Sequence, residues 1–408
     1  MHQEDLGATQ RSRGRFEQGT WQEVFATFLK LGVTSFGGPI AHLGYFHREL
    51  VQKRRWIDDA HFAQLVGLCQ FLPGPASSQL GFSLGLLRAG WFGGIAAFTA
   101  FTLPSALLLL LFAHLMPSLN QPLAQAAIHG LKLLAVAVVA QGVLTMAKHL
   151  TPDTLRRIMA LVAAGTMIMI NVAAAQLGLI VAGAIVGAFL CRTSGAGEIA
   201  QLAPRYGAQT GIALFIVFAS LLALSFVPFS GISLSSVSAA LYQAGALVFG
   251  GGHVVLPLLQ QSVVTPGWID GGEFLAGYGA AQAVPGPMFS FAAFVGTRVH
   301  DVGGPTGAAV STLAIFLPGL LLVSGALPFW HGLSRGARAA GAIAGVNAAV
   351  VGILAAALYN PVWTTAVHSW IDISIAVFAF LLLMRVPVLA VVAFCVLASV
   401  TTTLLFHA

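Results

Sequence analysis

The chain has 408 residues, 57% of them hydrophobic and 8% charged, and its mean hydropathy is +0.87. Soluble domains are about a quarter charged, which excludes an ordinary cytosolic enzyme, a disordered chain and a secreted disulfide scaffold. The formal net charge of +6 sits in clusters of the kind that report membrane orientation, and no interleaved basic and aromatic surface points to nucleic acid.

In chain order, segment 1–20 is a basic leader with Arg11, Arg13 and Arg15, and it lacks the apolar stretch of a signal peptide. Apolar segments at 21–46 and 60–88 flank a second cluster, Arg48, Lys53, Arg54 and Arg55. Long apolar runs follow at 91–115, 123–148, 155–170 and 172–190, and then at 209–227, 305–328, 337–358, 372–384 and 387–406. Runs of about 20 apolar residues suit membrane-crossing helices, so the expected fold is an all-α polytopic membrane protein. Segment 192–208, with Ser194, Gly195, Gly197 and Pro204, reads as a linker. Cys69, Cys191 and Cys395 lie far apart and support neither a metal quartet nor a disulfide framework; no metal and no cofactor are expected.

The chain repeats itself. Phe36-Gly37-Gly38 recurs as Phe249-Gly250-Gly251, Trp56-Ile57-Asp58 as Trp268-Ile269-Asp270, and Pro73-Gly74-Pro75 as Pro285-Gly286-Pro287. Gln70 pairs with Gln282, Gly85 with Gly296, Leu103-Pro104 with Leu317-Pro318 and Gly130 with Gly345. Ordered matches at a nearly constant offset identify a duplication, with an N-terminal repeat at 21–191, an additional helix at 209–227 and a C-terminal repeat at 228–408.

Both the leader and the Arg48–Arg55 cluster belong on the cytoplasmic side, so 21–46 reads as a segment that dips in and returns. With 60–88 also re-entrant, Lys148, Arg156, Arg157, Arg192, Arg205, Arg335, Arg338 and Arg385 fall inside. The loops near 116–122, 228–236 and 359–371, which hold no Lys or Arg, fall outside. The helix at 209–227 then inverts the second repeat relative to the first, an arrangement of many secondary transporters. The N-terminus is expected in the cytoplasm and the C-terminus outside.

Each repeat carries two interruptions, at Gly37-Gly38-Pro39 and Pro73-Gly74-Pro75, then at Gly250-Gly251-Gly252 and Pro285-Gly286-Pro287. Residues 60–71 and 76–88 make half-helices of about 18 and 20 Å, too short to cross a core of about 30 Å. Pro39, Pro75 and Pro287 each suit the first position of the helix that follows. Free amides at such an end, beside Ser77 and Ser78, carry about half a positive charge and bind anions. Kinks and close-packing glycines are the plainer alternative at any single break. Four breaks at matching positions predict one shared polar site near the midplane.

No Asp or Glu falls in the middle of an apolar run, which disfavours a cation as cargo. The cationic candidates are Lys30, Lys132 and, at the end of a half-helix, Arg298. Lys132 either snorkels or meets an anion, and its repeat mate is Asn347. The expected substrate site therefore comprises Lys30, Ser35, Gly37, Gly38, Pro39, Pro73, Gly74, Pro75, Ser77, Ser78, Gln79 and Lys132. From the second half it takes Gly250, Gly251, Gly252, His253, Pro285, Gly286, Pro287, Ser290, Arg298 and Asn347. If protons couple, His42, His129, His253 and Glu273 are the candidates. Gly81-Phe82-Ser83-Leu84-Gly85 fits a nucleophile-elbow pattern but lies in a membrane helix, not in the strand–turn–helix setting that chemistry needs. An intramembrane hydrolase is accordingly the weakest alternative, behind an anion channel.

At these motifs the sequence resembles the chromate ion transporter family in its long, two-domain form. The matching residues are Phe28-Leu29-Lys30-Leu31-Gly32, Ser35 to Pro39, Gln70 to Pro75 with Gln79 and Gly85, Phe249 to His253, Gln282 to Pro287, Gly296-Thr297-Arg298 and Phe316-Leu317-Pro318. The resemblance implies export of chromate from the bacterial cytoplasm across the inner membrane, giving resistance, with sulfate as the look-alike oxyanion and inverted halves. It leaves a homodimer open. Two departures stand out: Ala76 follows Pro75 where many members are expected to have an acidic residue, and His61 stands where the second half has Glu273.

Overall fold

The computed structural model describes residues 18–119, 121–170, 172–191, 204, 206–229, 231–249, 251–330 and 337–406. Most of the leader, most of the linker, Gly250, Arg205 and Arg335 lie outside the described residues. Every regular element among those described is helical.

The first half comprises α1 (Trp21–Thr34), α2 (Gly38–Phe46, continued by a π-turn to Lys53), α3 (Asp59–Phe71), α4 (Ala76–Leu115), α5 (Pro122–Leu150), α6 (Thr154–Met169) and α7 (Ala173–Leu190). Helix α8 (Ala208–Ser225) follows. The second half comprises α9 (Leu234–Leu247), a 3-10 turn at Gly252–Val254 leading into α10 (Val255–Leu259) and a π-turn to Val264, then α11 (Gly271–Ala283), a 3-10 turn at Met288–Ser290 leading into α12 (Phe291–Arg298), α13 (Gly304–Ala326), α14 (Ala337–Ala357), α15 (Trp370–Leu383) and α16 (Val388–Phe406). Each element of the first half has its counterpart in the second. Even the caps match: Asp58 accepts the His61 amide at the start of α3, and Asp270 accepts those of Gly272 and Glu273 at the start of α11. Each cap satisfies amides that the helix itself leaves free.

Among the described residues, six helices are long and apolar enough to cross a membrane: 76–118, 122–150, 208–225, 304–329, 338–366 and 388–405. Nine such spans were expected. Of the other three, α6 has 16 residues and α15 has 14, and α7 is apolar but short. Each is one arm of a terminal hairpin lying along a longer helix. The 76–88 and 91–115 segments run together as α4, bent at Ala89 and at Gly90, whose φ is +67°. Side chains such as Phe92, Leu161, Phe189 and Leu405 are more than 70% exposed, as the lipid-facing surface of such a protein requires.

The halves interlock. The α6–α7 hairpin of the first half packs on α14 of the second, and the α15–α16 hairpin of the second packs on α5 of the first. Glycines make both contacts close. A side chain at Gly130 on α5 would strike the backbone of Cys395 and Val396 on α16, and one at Gly345, its repeat mate on α14, would strike the backbone of Gly183 and Gly187 on α7. With no hydrophobic drive between helices in lipid, small residues at such contacts supply the packing. The same matched logic closes each hairpin bend, where Gly85 meets Gly93 and Gly296 meets Gly307.

Gly130→Leu should therefore separate α5 from α16 and destabilise the protein by about 1–3 kcal/mol. A thermal-unfolding midpoint equal to that of the wild type in detergent would show that this contact does not hold the halves together.

Candidate functional site

The first break of each half has one construction. Helix α1 ends at an extended Ser35, and the chain turns through Gly37 and Gly38, whose φ values are +97° and +79°. Only glycine adopts such angles without strain. Helix α2 then begins at Gly38 with Pro39 second, so Pro39 lies one position further in than expected. In the second half Gly251, with φ +140°, precedes the turn that starts at Gly252. The two breaks touch: a side chain on Gly252 would meet the Pro39 ring.

The second breaks do something other than expected. Gly74 and Gly286 have φ values of +119° and +107°, and their amides are not free. The Gly74 amide donates to the Val248 carbonyl at 2.7 Å, and the Gly286 amide donates to the Ser35 carbonyl at 2.9 Å. Val248 and Ser35 each end the helix before a first break, so each second break holds the first break of the opposite half. Pro75 and Pro287 occupy cap positions, with helix starting at Ala76 and Met288.

Each second break is further seated on a long helix of the other half. The Gln79 side-chain amide donates to Pro73 and Gly319 carbonyls, at 2.9 and 3.1 Å. Ser290 shares a 2.7 Å hydrogen bond with Ser105. Gly319 and Ser105 follow the matched prolines Pro318 and Pro104. Gly74, Gln79, Gly286 and Ser290 thus hold the site from behind, and none of Pro73, Gly74, Pro75, Ser77, Ser78, Gln79, Pro285, Gly286, Pro287 and Ser290 lines the cavity beside the first breaks.

That cavity, of about 320 Å3, is lined by Gly37, Gly38, Pro39, Gly251, Gly252, His253 and Gln282, with Leu383 and Val388 from the α15–α16 hairpin. Helix α5 contributes Val138, Gln141, Gly142, Thr145 and Met146, a spacing that describes one helical face. Helix α2 points its N-terminal end into this space, and so does the helical stretch beginning at Gly252. The Gln282 side-chain nitrogen is buried with no hydrogen-bond partner among the described residues. His253 Nδ1 is 2.9 Å from the Tyr278 hydroxyl. At ~30 Å3 per water, the volume admits a four-oxygen anion together with part of its hydration shell.

The charged residues singled out from the sequence lie elsewhere. Lys30 pairs with Glu49 at 3.3 Å and its side chain is 56% exposed. Arg298 holds Glu273 through two hydrogen bonds of 3.0 and 2.7 Å, closing α12 onto α11. Lys132 reaches the first turn of α11, beside Gly272 and the Asp270 carboxylate. His129 bonds Asp372 at 2.7 Å, tying α5 to α15. Asn347 is on α14, outside the cavity lining, with its side-chain oxygen buried and without a hydrogen-bond partner among the described residues. His42 is fully buried, edge-on to Phe101 at 5.4 Å. Ser83 is buried within α4, so the elbow-like motif sits in continuous helix. Gln141 and Thr145 escaped sequence reading, although they are the polar side chains of the otherwise apolar stretch 133–145, one turn apart.

A polytopic helical protein in which two repeats bring broken helices to one polar cavity is built as a membrane transporter. A family model described as "Chromate transporter" matches residues 22–188 and again 235–400, and the chain belongs to that family. It is 29% identical to a chromate transport protein of Pseudomonas aeruginosa, over 85% of this chain and 82% of the relative. It is 32% identical to a probable chromate transport protein of Synechococcus elongatus, over 81% and 82%. An uncharacterised transporter of Methanocaldococcus jannaschii is 27% identical over 76% of this chain and 77% of the relative. No solved structure matches.

Two outcomes are expected. Gly286→Leu places a side chain against Ser105 at a strained φ and frees the Ser35 carbonyl, so it should abolish transport while membrane insertion, read by fractionation, persists; normal transport would remove this support from the mechanism. Lys132→Ala should leave the apparent anion affinity within about twofold of wild type, since the ammonium group lies at the start of α11; a tenfold loss, about 1.4 kcal/mol, would place it in the site.

Proposed function

We propose that this protein is a secondary transporter that moves chromate out of the bacterial cytoplasm by alternating access. The tetrahedral dianion sits in the cavity at the two first breaks, among backbone amides, Gln282, Gln141 and Thr145. The names of the curated relatives support chromate as cargo, and sulfate, which is also tetrahedral and doubly charged, is its expected competitor. The inner membrane is the expected location, and resistance to chromate the expected consequence. A potential negative inside favours exit of each charge by about 2.3 kcal/mol per 100 mV.

The observation that carries this reading is that matching surfaces of the two halves are in opposite conditions. On α5, the face Val138, Gln141, Gly142 and Thr145 borders a cavity of about 320 Å3. The corresponding residues Ile353, Ala356 and Ala357 of α14, with Asn360 at the kink just past its end, border a pocket of about 10 Å3 with Met167 of the α6–α7 hairpin. Nearer the start of α5, α11 packs so closely that a side chain at Gly279 would strike the Leu131 carbonyl. Its counterpart α3 has no comparable contact with α14 among the described residues, and space beside Gly67, the mate of Gly279, is bounded by the Trp330 ring at 3.8 Å.

With the N-terminus in the cytoplasm and the halves inverted, the start of α5 faces outward and the start of α14 inward. The open cavity and the unpacked α3 then both lie on the cytoplasmic side, while the α11–α5 contact seals the outer side. Exchanging the environments of the two halves gives the outward-open state, with Gly67 packed on Val346 and Gly279 released from Leu131.

Labelled chromate in inverted membrane vesicles, with sulfate competition and counterflow, tests the assignment. Uptake that sulfate inhibits and that shows exchange against a gradient is expected; a channel would show no counterflow. Gly67→Leu tests the state change, because the added side chain has room here and none in the exchanged state. Chromate binding within about threefold of wild type with at least a tenfold loss of flux is expected, and wild-type flux would exclude the Gly67–Val346 closure.

A further inference from the structure

Among the residues that line the cavity, His253 is the single ionisable side chain. It is held from behind. Its Nδ1 lies 2.9 Å from the hydroxyl of Tyr278, and Tyr278 is itself completely buried, edge-on to Phe291 at 5.7 Å. The other ring nitrogen, Nε2, has no hydrogen-bond partner among the described residues. Gly142 lets α5 lie against the ring, since a side chain there would meet its Cδ2 at 3.0 Å.

Of the other charges, Arg385 lies closest in the chain to the lining, exposed in the turn between Leu383 and Val388 but not itself among the lining residues; those on the helices packed around the cavity are distant or already paired. On α5, Lys132 lies about 15 Å along the helix from Gly142 and Lys148 about 9 Å beyond it; His149 follows Lys148, and His129 is bound to Asp372. On α11, Glu273 is taken by Arg298. Helix α14 offers Arg338 in its first turn. On α2, His42 lies three residues past Pro39, packed against Phe101. The charge of an anion in this cavity therefore falls first on His253.

We propose that His253 takes up a proton together with the oxyanion, so that proton and anion cross in the same direction. This inference rests on the transport reading above and assigns the coupling of that same site. The sign follows from electrostatics. A dianion beside a neutral imidazole favours its protonated form, and by reciprocity the proton tightens anion binding by the same factor. Antiport by direct competition needs the reverse, a proton that expels the substrate, and a histidine facing an anion cannot supply that. No bond in the anion is made or broken: one proton passes from water to Nε2 on loading and returns to water on release. Tyr278 accepts from Nδ1–H in the charged state and is a positioning residue, fixing Nε2 toward the cavity. The membrane potential then acts on one net charge per chromate in place of two, and outward movement works against a pH gradient that is acidic outside.

The test uses the full chain in proteoliposomes, with labelled chromate at an alkaline pH where the dianion dominates, and with proton and charge movement recorded together. One proton moving with each chromate, and an affinity that rises by up to tenfold per unit fall in pH, are expected. His253→Gln should lower the flux, bring the protons moved per chromate to zero and flatten the pH dependence. Tyr278→Phe should keep the stoichiometry while shifting the pH at which affinity changes. Protons moving opposite to chromate, no proton movement in the wild type, or an unchanged stoichiometry in His253→Gln would each overturn the proposal. If His253→Gln does not fold, the wild-type stoichiometry alone decides. Failure of the wild type to move chromate at all would instead overturn the transport reading, and Gln282→Leu with an unchanged chromate affinity would displace the site; loss of affinity there with intact proton coupling in His253→Gln would reject the histidine alone.

Discussion

Everything near the cavity depends on one reciprocal pair of backbone hydrogen bonds, Gly74 to Val248 and Gly286 to Ser35. A helix broken inside a membrane leaves peptide groups with no water to satisfy them, each a cost of several kcal/mol in hydrocarbon. Here the donor left over at the second break of one half meets the acceptor left over at the first break of the other. Because the halves are copies, solving the problem once solves it twice. The positive φ values of Gly74 and Gly286 turn those amides toward the opposite half, which explains why glycine stands between two prolines that fix the chain on either side.

This arrangement divides labour among breaks that look alike in sequence. The second breaks spend their amides on protein and are stacked on Gly319 and Ser105, so they act as rigid bearings. The first breaks instead line the cavity, through Gly37, Gly38 and Pro39 on one side and Gly251, Gly252 and His253 on the other. Since each bearing comes from the opposite half, each first break is tied to the other half through its backbone. The swapped hairpins, α6–α7 on α14 and α15–α16 on α5, couple the outer helices in the same crossed way. Two surfaces that match in sequence, α11 on α5 and α3 beside α14, nevertheless differ in packing, and that asymmetry is what the alternating-access proposal rests on.

Much of this was legible in the chain. Asp58 and Asp270 stand out there as a repeat match, whereas their capping role is visible only in the structure. The duplication and the interruptions follow from local rules that a sequence states openly. The partition of the four breaks does not, because it is decided by which carbonyl lies across the interface, and residues 74 and 248 are brought together only by the interlocked fold. Lys30 and Arg298 drew attention as cations in apolar surroundings, yet Glu49 and Glu273 lie within reach in space and neutralise them. Gln141 and Thr145 carried the opposite signal, a polar pair one turn apart beside Gly142, and they line the cavity while the lysines do not.

A cavity with neutral walls is a physical choice about release. A fixed lysine or arginine would bind a dianion tightly in both conformations and slow its departure, since differential affinity, not affinity, moves an equilibrium between two states. Helix ends and side-chain amides supply partial charges that act over a short range and change as the ends move. In the coupling proposed above, a titratable imidazole would add a full charge while the anion is present and surrender it to water afterwards. The strength of the site would then follow its occupancy, permitting tight capture on one side of the membrane and free release on the other without a permanent countercharge among the lining residues.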